Sequence, residues 1–256
     1  METRDRAALL ALAAGGATAA FIVSRPRAAA APPPPPSTSP IRVAFVVPRD
    51  YPAYMDWQAA ALVVRDRWLP HIQAWYRQQA ALDFRVEFRW LMSGHTIYEL
   101  ATDPATGVLT QLDGCALAPI PQGQGAHATA VGDLVLTGEL GWGGTAPARI
   151  WVVLIGAGGW AGGFSPDEHN RSWAMIGDWG LRYAVTGQPD PCAVRILGLG
   201  AATAPPDRAL GHEGLHTMAG VDPHNPYVMT GDPLSPAQVA ALRGPLNAAF
   251  LFGTTG

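Results

Sequence analysis

Apolar residues recur along this chain in patterns that each predict an element. Ile41 to Pro48 (IRVAFVVP) is an apolar, β-branched run and predicts a buried strand. Between Asp56 and Ala81, residues Leu62, Trp68, Leu69, Ile72, Trp75 and Tyr76 recur at helical spacings. They predict a long amphipathic helix with its aromatics in the core, and Pro70 predicts that the helix kinks or splits in two. Phe84, Val86, Phe88 and Trp90 alternate with Asp83, Arg85, Glu87 and Arg89, a period of two that predicts a half-buried strand. From Ser93 to Gly144 the pattern is weak: Ile97 to Ala101 reads as a short helix and the stretch around Gly123 to Gly125 as a loop. Arg149 to Gly156 (RIWVVLIG) is the clearest central strand, followed by a glycine-rich turn to Gly163, and Trp173 to Ile176 is a short strand ending at Gly177-Asp178.

In the last quarter of the chain, Pro205-Pro206 and the capping residue Asp207 predict a helix that starts near Asp207 and stops at Gly220. Val221 to Gly231 is rich in Pro, Asn and Asp and reads as irregular. Ser235, Pro236 and Gln238 form a capping box for a last helix to Arg243, which Gly244-Pro245 interrupts and which resumes to Leu251. Strands alternating with helices, without an internal repeat, predict one α/β (α+β) domain over residues 41–256.

Residues 1–30 read as targeting sequence. Arg4 and Arg6 precede an apolar run from Ala7 to Val23, and Ala28 to Ala30 offer a small-residue cleavage site, so the segment is a signal peptide or an N-terminal anchor. Residues 31–40 form a proline-rich linker, with Pro32 to Pro36 in a row, too stiff to join a core. These features predict a secreted or extracytoplasmic protein, membrane-associated only if the leader stays attached. Charged residues make up 14% and hydrophobic residues 48%, which excludes a disordered chain. The net charge is −3 and the basic residues, all Arg, form no stripe, which argues against nucleic acid as a partner. Cys115 and Cys192 are the two cysteines, and in an exported protein they are candidates for one disulfide. The glycine-rich turn at 156–163 lacks a dinucleotide fingerprint or a phosphate-binding lysine, so phosphate is not expected there.

The segment with the most chemistry is His212-Glu213-Gly214-Leu215-His216, an H-E-x-x-H run. On a helix the two histidines share one face and can grip one zinc ion, with Glu213 beside them as a general base. A catalytic zinc needs a third protein ligand; His224 is the first candidate and Asp222 the alternative. His71, His95, His127 and His169 are isolated and read as surface or structural residues.

The run from His212 to Met229 (HEGLHTMAGVDPHNPYVM) resembles the metzincin superfamily of zinc peptidases, whose motif is H-E-x-x-H-x-x-G-x-x-H (or Asp) followed by a turn containing Met. Gly220 lies one position later than the family glycine, Asp222 falls at the family's ligand position, and His224 lies two residues beyond it. Gly214-Leu215 also departs from the Leu-then-Gly order common in the family. Val43 to Pro48, Gln73 to Tyr76, Ile150 to Ile155 and Leu234 to Gln238 look similar to exported bacterial members. The resemblance implies a mixed twisted sheet packed on a long helix and an active-site helix, with an irregular C-terminal subdomain ending in a helix. It also implies Met229 as the Met-turn residue and an extended peptide substrate lying on an edge strand, for which Trp173 to Gly177 is the candidate; a monomer is expected.

A secreted zinc endopeptidase is the leading expectation, with protein or peptide as substrate, Zn²⁺ as cofactor, Glu213 moving the proton and Tyr227 a possible oxyanion donor. Two other readings stay open: a catalytically weak or inactive metzincin-like binding protein, and a zinc amidase acting on cell wall.

Overall fold

The computed structural model describes residues 38–51, 53–101, 111–112, 115–116, 131–157, 161–191, 194, 207–225 and 227–254. In chain order the first half carries β1 (Ile41–Val47), α1 (Trp57–Val63), α2 (Leu69–Ala80), β2 (Leu82–Phe84), β3 (Val86–Met92), α3 (Ile97–Ala101), β4 (Gln111–Leu112) and β5 (Cys115–Ala116). The second half carries a π-helix at Val131–Glu139, then β6 (Ala148–Leu154), β7 (Ala161–Gly163), β8 (Arg171–Ile176), α4 (Trp179–Thr186), α5 (Asp207–His216), α6 (Pro236–Leu242) and β9 (Leu251–Gly253). The predicted leader, His127, Cys192 and Pro205-Pro206 lie outside the described residues. No helix among the described residues is long and apolar enough to cross a membrane.

Five strands form one sheet in the order β3-β1-β6-β8-β7. The first four run parallel and β7 pairs antiparallel with β8, in the register Gly163 opposite Ala174. The fold is therefore mixed α/β with a mostly parallel sheet. Strand side chains alternate between faces, and in β1 and β6 both faces are buried. Val43, Phe45, Val47, Trp151 and Val153 enter the core shared with α1, α2 and α5. Ala44, Val46, Ile150, Val152 and Leu154 enter a second core with Val131, Val135 and Leu136 of the π-helix.

Pro70 acts as the sequence predicts. Asp56 caps α1 by accepting from the backbone N–H groups of Gln58 and Ala59. A π-helical turn at Val64–Trp68 then re-phases the chain so that Pro70 falls in the first turn of α2, where its missing N–H costs nothing. Trp68, Trp75 and Tyr76 are core residues, whereas Leu62 is exposed.

Three expectations are corrected. The alternating run from Phe84 to Trp90 is two strands, because Phe84 belongs to β2, which pairs with β9, while β3 forms an edge of the main sheet and leaves Trp90 exposed. Helix α5 ends at His216, one turn before Gly220, which instead supplies a left-handed turn at φ 73°. The described residues do not end in a helix: α6 stops at Leu242, Gly244-Pro245 opens a series of turns, and buried Phe250 and Leu251 lead into β9.

Arg149, at the start of β6, is fully buried. It donates to the carbonyls of Ala148 (3.1 Å) and Asn170 (2.6 Å) and to the Asn170 side chain (2.6 Å), and it stacks 4.4 Å from the Phe250 ring centroid. Burial lowers its pKa to about 10. Arg149→Met keeps the bulk but strands the Asn170 side-chain acceptor, and should reduce the unfolding free energy by about 2–4 kcal/mol in urea titrations. A change below about 0.5 kcal/mol would show that the clamp does not hold β6 to the turn before β8.

Candidate metal centre

Helix α5 is buried over almost its whole length, with Leu210, Gly211, His212, Glu213, Gly214 and Leu215 all out of solvent. Two glycines make that possible. A Cβ on Gly214 would stand 2.6 Å from Cζ2 of Trp151. A Cβ on Gly211 would collide with Thr230, whose hydroxyl donates to the carbonyl of Asp207 (3.1 Å). The out-of-order glycine of the H-E-G-L-H run thus has a packing cause. It lets the helix lie directly on an indole that is itself fully buried and packed edge-on against Phe84.

The C-terminal end of α5 is pinned from the sheet. Trp151 Nε1 donates to the Thr217 hydroxyl (3.2 Å), that hydroxyl donates to the Gly214 carbonyl (2.6 Å), and the Ser172 hydroxyl donates to the Thr217 carbonyl (2.8 Å). At the other end Asp207 is paired with His71 of α2. These contacts fix where His212 and His216 point.

The ligating atoms of His212, His216 and His224 lie within 4.8 Å of one another. Metal–nitrogen bonds of about 2.0–2.1 Å to a common ion require this kind of convergence, and the three imidazoles could bind a metal ion. His212 is buried, His216 half-buried and His224 exposed, so the cluster opens to solvent on one side. Nδ1 of His212 hydrogen-bonds the Val228 carbonyl. A carbonyl only accepts, so that nitrogen carries the proton and Nε2 keeps its lone pair for a metal. Burial, opposed by this hydrogen bond, lowers the pKa of His212. Burial, then the neighbouring histidines His212 and His224, lower that of His216 to about 4. Both shifts favour the neutral, metal-binding form.

Glu213, 9% exposed, follows His212 on α5, and burial raises its pKa to about 7. Asp222 does not join the three histidines. Its carboxylate accepts the backbone N–H of His224 (2.9 Å) and its carbonyl accepts from Gln238 (2.8 Å), so it shapes the loop that presents His224. Buried Asn247 holds the same region, exchanging hydrogen bonds with both N–H and C=O of Ala219. Tyr227 is exposed, with its ring 4.8 Å from that of His212 and 5.6 Å from that of His224. Met229 is half-buried in a turn that Asp232 closes on its backbone N–H, next to the Val228 carbonyl that orients His212. Cys115 lies in β5, and a pairing with Cys192 falls outside the described residues. His95 and His169 lie away from the cluster, within 4.0 Å of Glu99, Glu139 or Glu168.

The edge beside the cluster is β7, not Trp173 to Gly177, because β8 is paired on both sides, by β6 and β7. A Cβ on Gly163 would stand 2.5 Å from the Glu213 carbonyl oxygen and 2.6 Å from His216 Cβ, so this strand runs directly over the motif helix. The sequence reading missed Trp151, Thr217, Val228 and Gly163. The only trace of the last was the Gly162-Gly163 pair within the glycine-rich segment. No family model, curated protein or solved structure matches the chain.

Two outcomes test this arrangement. Gly214→Ala should destabilise the protein by about 1–3 kcal/mol through overlap with Trp151, and Trp151→Phe should absorb part of that cost. Additive effects in a double-mutant cycle would contradict the contact. In metal-free protein, Glu213 binds its proton more tightly folded than unfolded. Stability relative to Glu213→Gln is therefore greatest below about pH 4.5 and falls until about pH 7, by on the order of 2–3 kcal/mol. A pH-independent difference between the two proteins would show that Glu213 is not desolvated.

Proposed function

We propose that this chain is an exported, zinc-dependent endopeptidase of the metzincin type. One observation carries the reading: three imidazoles from a helix and the following loop converge within 4.8 Å, with a buried carboxylate on the same helix. Three nitrogen donors and an open side suit a catalytic zinc, which keeps a position for water, better than a closed structural site. When bound, zinc would make water acidic near neutral pH and polarise a peptide carbonyl.

The chain's own residues would do the rest. His212, His216 and His224 hold the ion, and the Val228 carbonyl keeps His212 in the required tautomer. Glu213, whose burial brings its pKa to about 7, takes the proton of the attacking water and returns it to the leaving amine. Tyr227, exposed beside His212 and His224, would donate to a developing oxyanion. The edge of β7, unpaired on its outer side among the described residues and close-packed on α5 at Gly163, would receive the peptide as an added strand. Gly214, which in sequence departs from the family pattern, has a packing cause in Trp151, which supports the catalytic reading.

Zinc per chain, measured by elemental mass spectrometry on the full chain, should be near one and should fall sharply in His216→Ala. Glu213→Gln should keep the zinc and lose peptide cleavage by at least about a hundredfold. Cleavage by Glu213→Gln at the wild-type rate would refute the proton-transfer role. Full zinc loading with no cleavage of a broad peptide library would leave a zinc-bearing binding protein.

A further inference from the structure

A cavity of about 360 Å³ lies between the π-helix Val131–Glu139 and the β7–β8 edge of the sheet. Leu136, Ile150, Phe164 and Trp173 give it an apolar lining. Leu136 and Ile150 are members of the core on the face opposite α5, and Trp173 packs against that core. The cavity therefore sits across the sheet from the metal centre, yet the two are adjacent along β7. Gly163 faces α5, since a Cβ there would strike His216. Phe164 is the next residue, so it faces the other way. It continues the ladder by donating its N–H to the Trp173 carbonyl (3.0 Å), and its ring lies 4.9 Å from that of Trp173.

We propose that this cavity is a substrate subsite that takes an arginine or lysine side chain of a peptide lying along β7. The proposal rests on the peptidase reading above and adds a substrate preference to it. A strand added to β7 continues the pleat, so alternate side chains point toward α5 and toward the cavity. The charges there select a cation. Asp167 is held in place by the backbone N–H groups of Arg171 (2.8 Å) and His169 (2.9 Å), and Asp133 stands exposed on the π-helix. Arg171 also lines the cavity, but its two terminal nitrogens donate to the carbonyls of Gly144 and Trp142. Two carboxylates and one guanidinium line the cavity; the buried Arg149 guanidinium acts on Asp167 from outside the lining, so exposed Asp133 is the carboxylate left to meet a bound cation. The Phe164–Trp173 pair offers aromatic surface to a long basic side chain and its charge.

The test uses two readouts on the zinc-loaded full chain: cleavage of a randomised peptide library, and binding of benzamidine against neutral benzamide by NMR titration. Library cleavage should favour Arg or Lys over Glu at one position by about tenfold or more. Benzamidine should bind about five- to tenfold more tightly than benzamide. Asp133→Asn, at an exposed position where folding is not at stake, should shrink both ratios severalfold. Cleavage with no basic preference, and benzamidine binding unchanged in Asp133→Asn, would overturn the subsite and leave the peptidase reading intact. Absent cleavage with benzamidine binding lost in Asp133→Asn would uphold a cation-binding cavity and overturn its role as a substrate subsite together with the peptidase reading.

Discussion

Helix α5 can lie where it does because two of its residues have no side chain. Gly211 and Gly214 bring its backbone against Thr230 and Trp151, and Gly163 brings the edge strand of the same sheet against it as well. A larger residue at any of the three would push the helix out by about the radius of a methyl group, and the histidines with it. Interior glycines cost helix stability, about 1 kcal/mol each, and a ten-residue helix with two of them would not persist alone. Its order comes from burial on nearly every side and from the hydroxyls of Thr217, Thr230 and Ser172 tying it to its neighbours.

The same burial sets the electrostatics. Desolvation disfavours charge, so it pushes His212 and His216 toward the neutral imidazole and Glu213 toward the protonated acid. For the histidines this is preparation, since a metal takes the neutral form. For Glu213 it brings a carboxyl near the pH at which giving and taking a proton are equally easy. One physical cause thus acts on the histidines and Glu213 together, and the Val228 carbonyl adds direction by choosing which nitrogen of His212 stays free.

Much of this was legible in the sequence because it depends on local rules. The strands at 41–47 and 148–154, the break at Pro70, the capping box at Ser235 and the pairing of His212 with His216 all follow from periodicity or spacing. What could not be read depends on partners far along the chain. Phe84 joins a strand with β9, more than 160 residues away, so its period-two pattern runs on into β3 without marking the break. The π-helix at 131–139 shows no clean helical period because its residues repeat at a wider spacing than 3.6. Which strand forms the sheet edge is a matter of topology, and three residues of β7, two of them glycine, carry no hydrophobic signal.

The third histidine sits in a different mechanical setting from the first two. His212 and His216 belong to a helix locked by backbone contact, whereas His224 is exposed on an irregular loop. That loop has its own supports: Asp222 folds back onto the His224 N–H, Gln238 of α6 holds Asp222, and Asn247 ties Ala219 to the turns after α6. The residues between Gly220 and His224 are therefore anchored by the C-terminal segment, which itself turns back through Phe250 to pair β9 with β2. A rigid wall carrying two of the histidines and a separately braced loop carrying the third make up the candidate site. The helix sets direction, and the loop brings the third imidazole up to the other two.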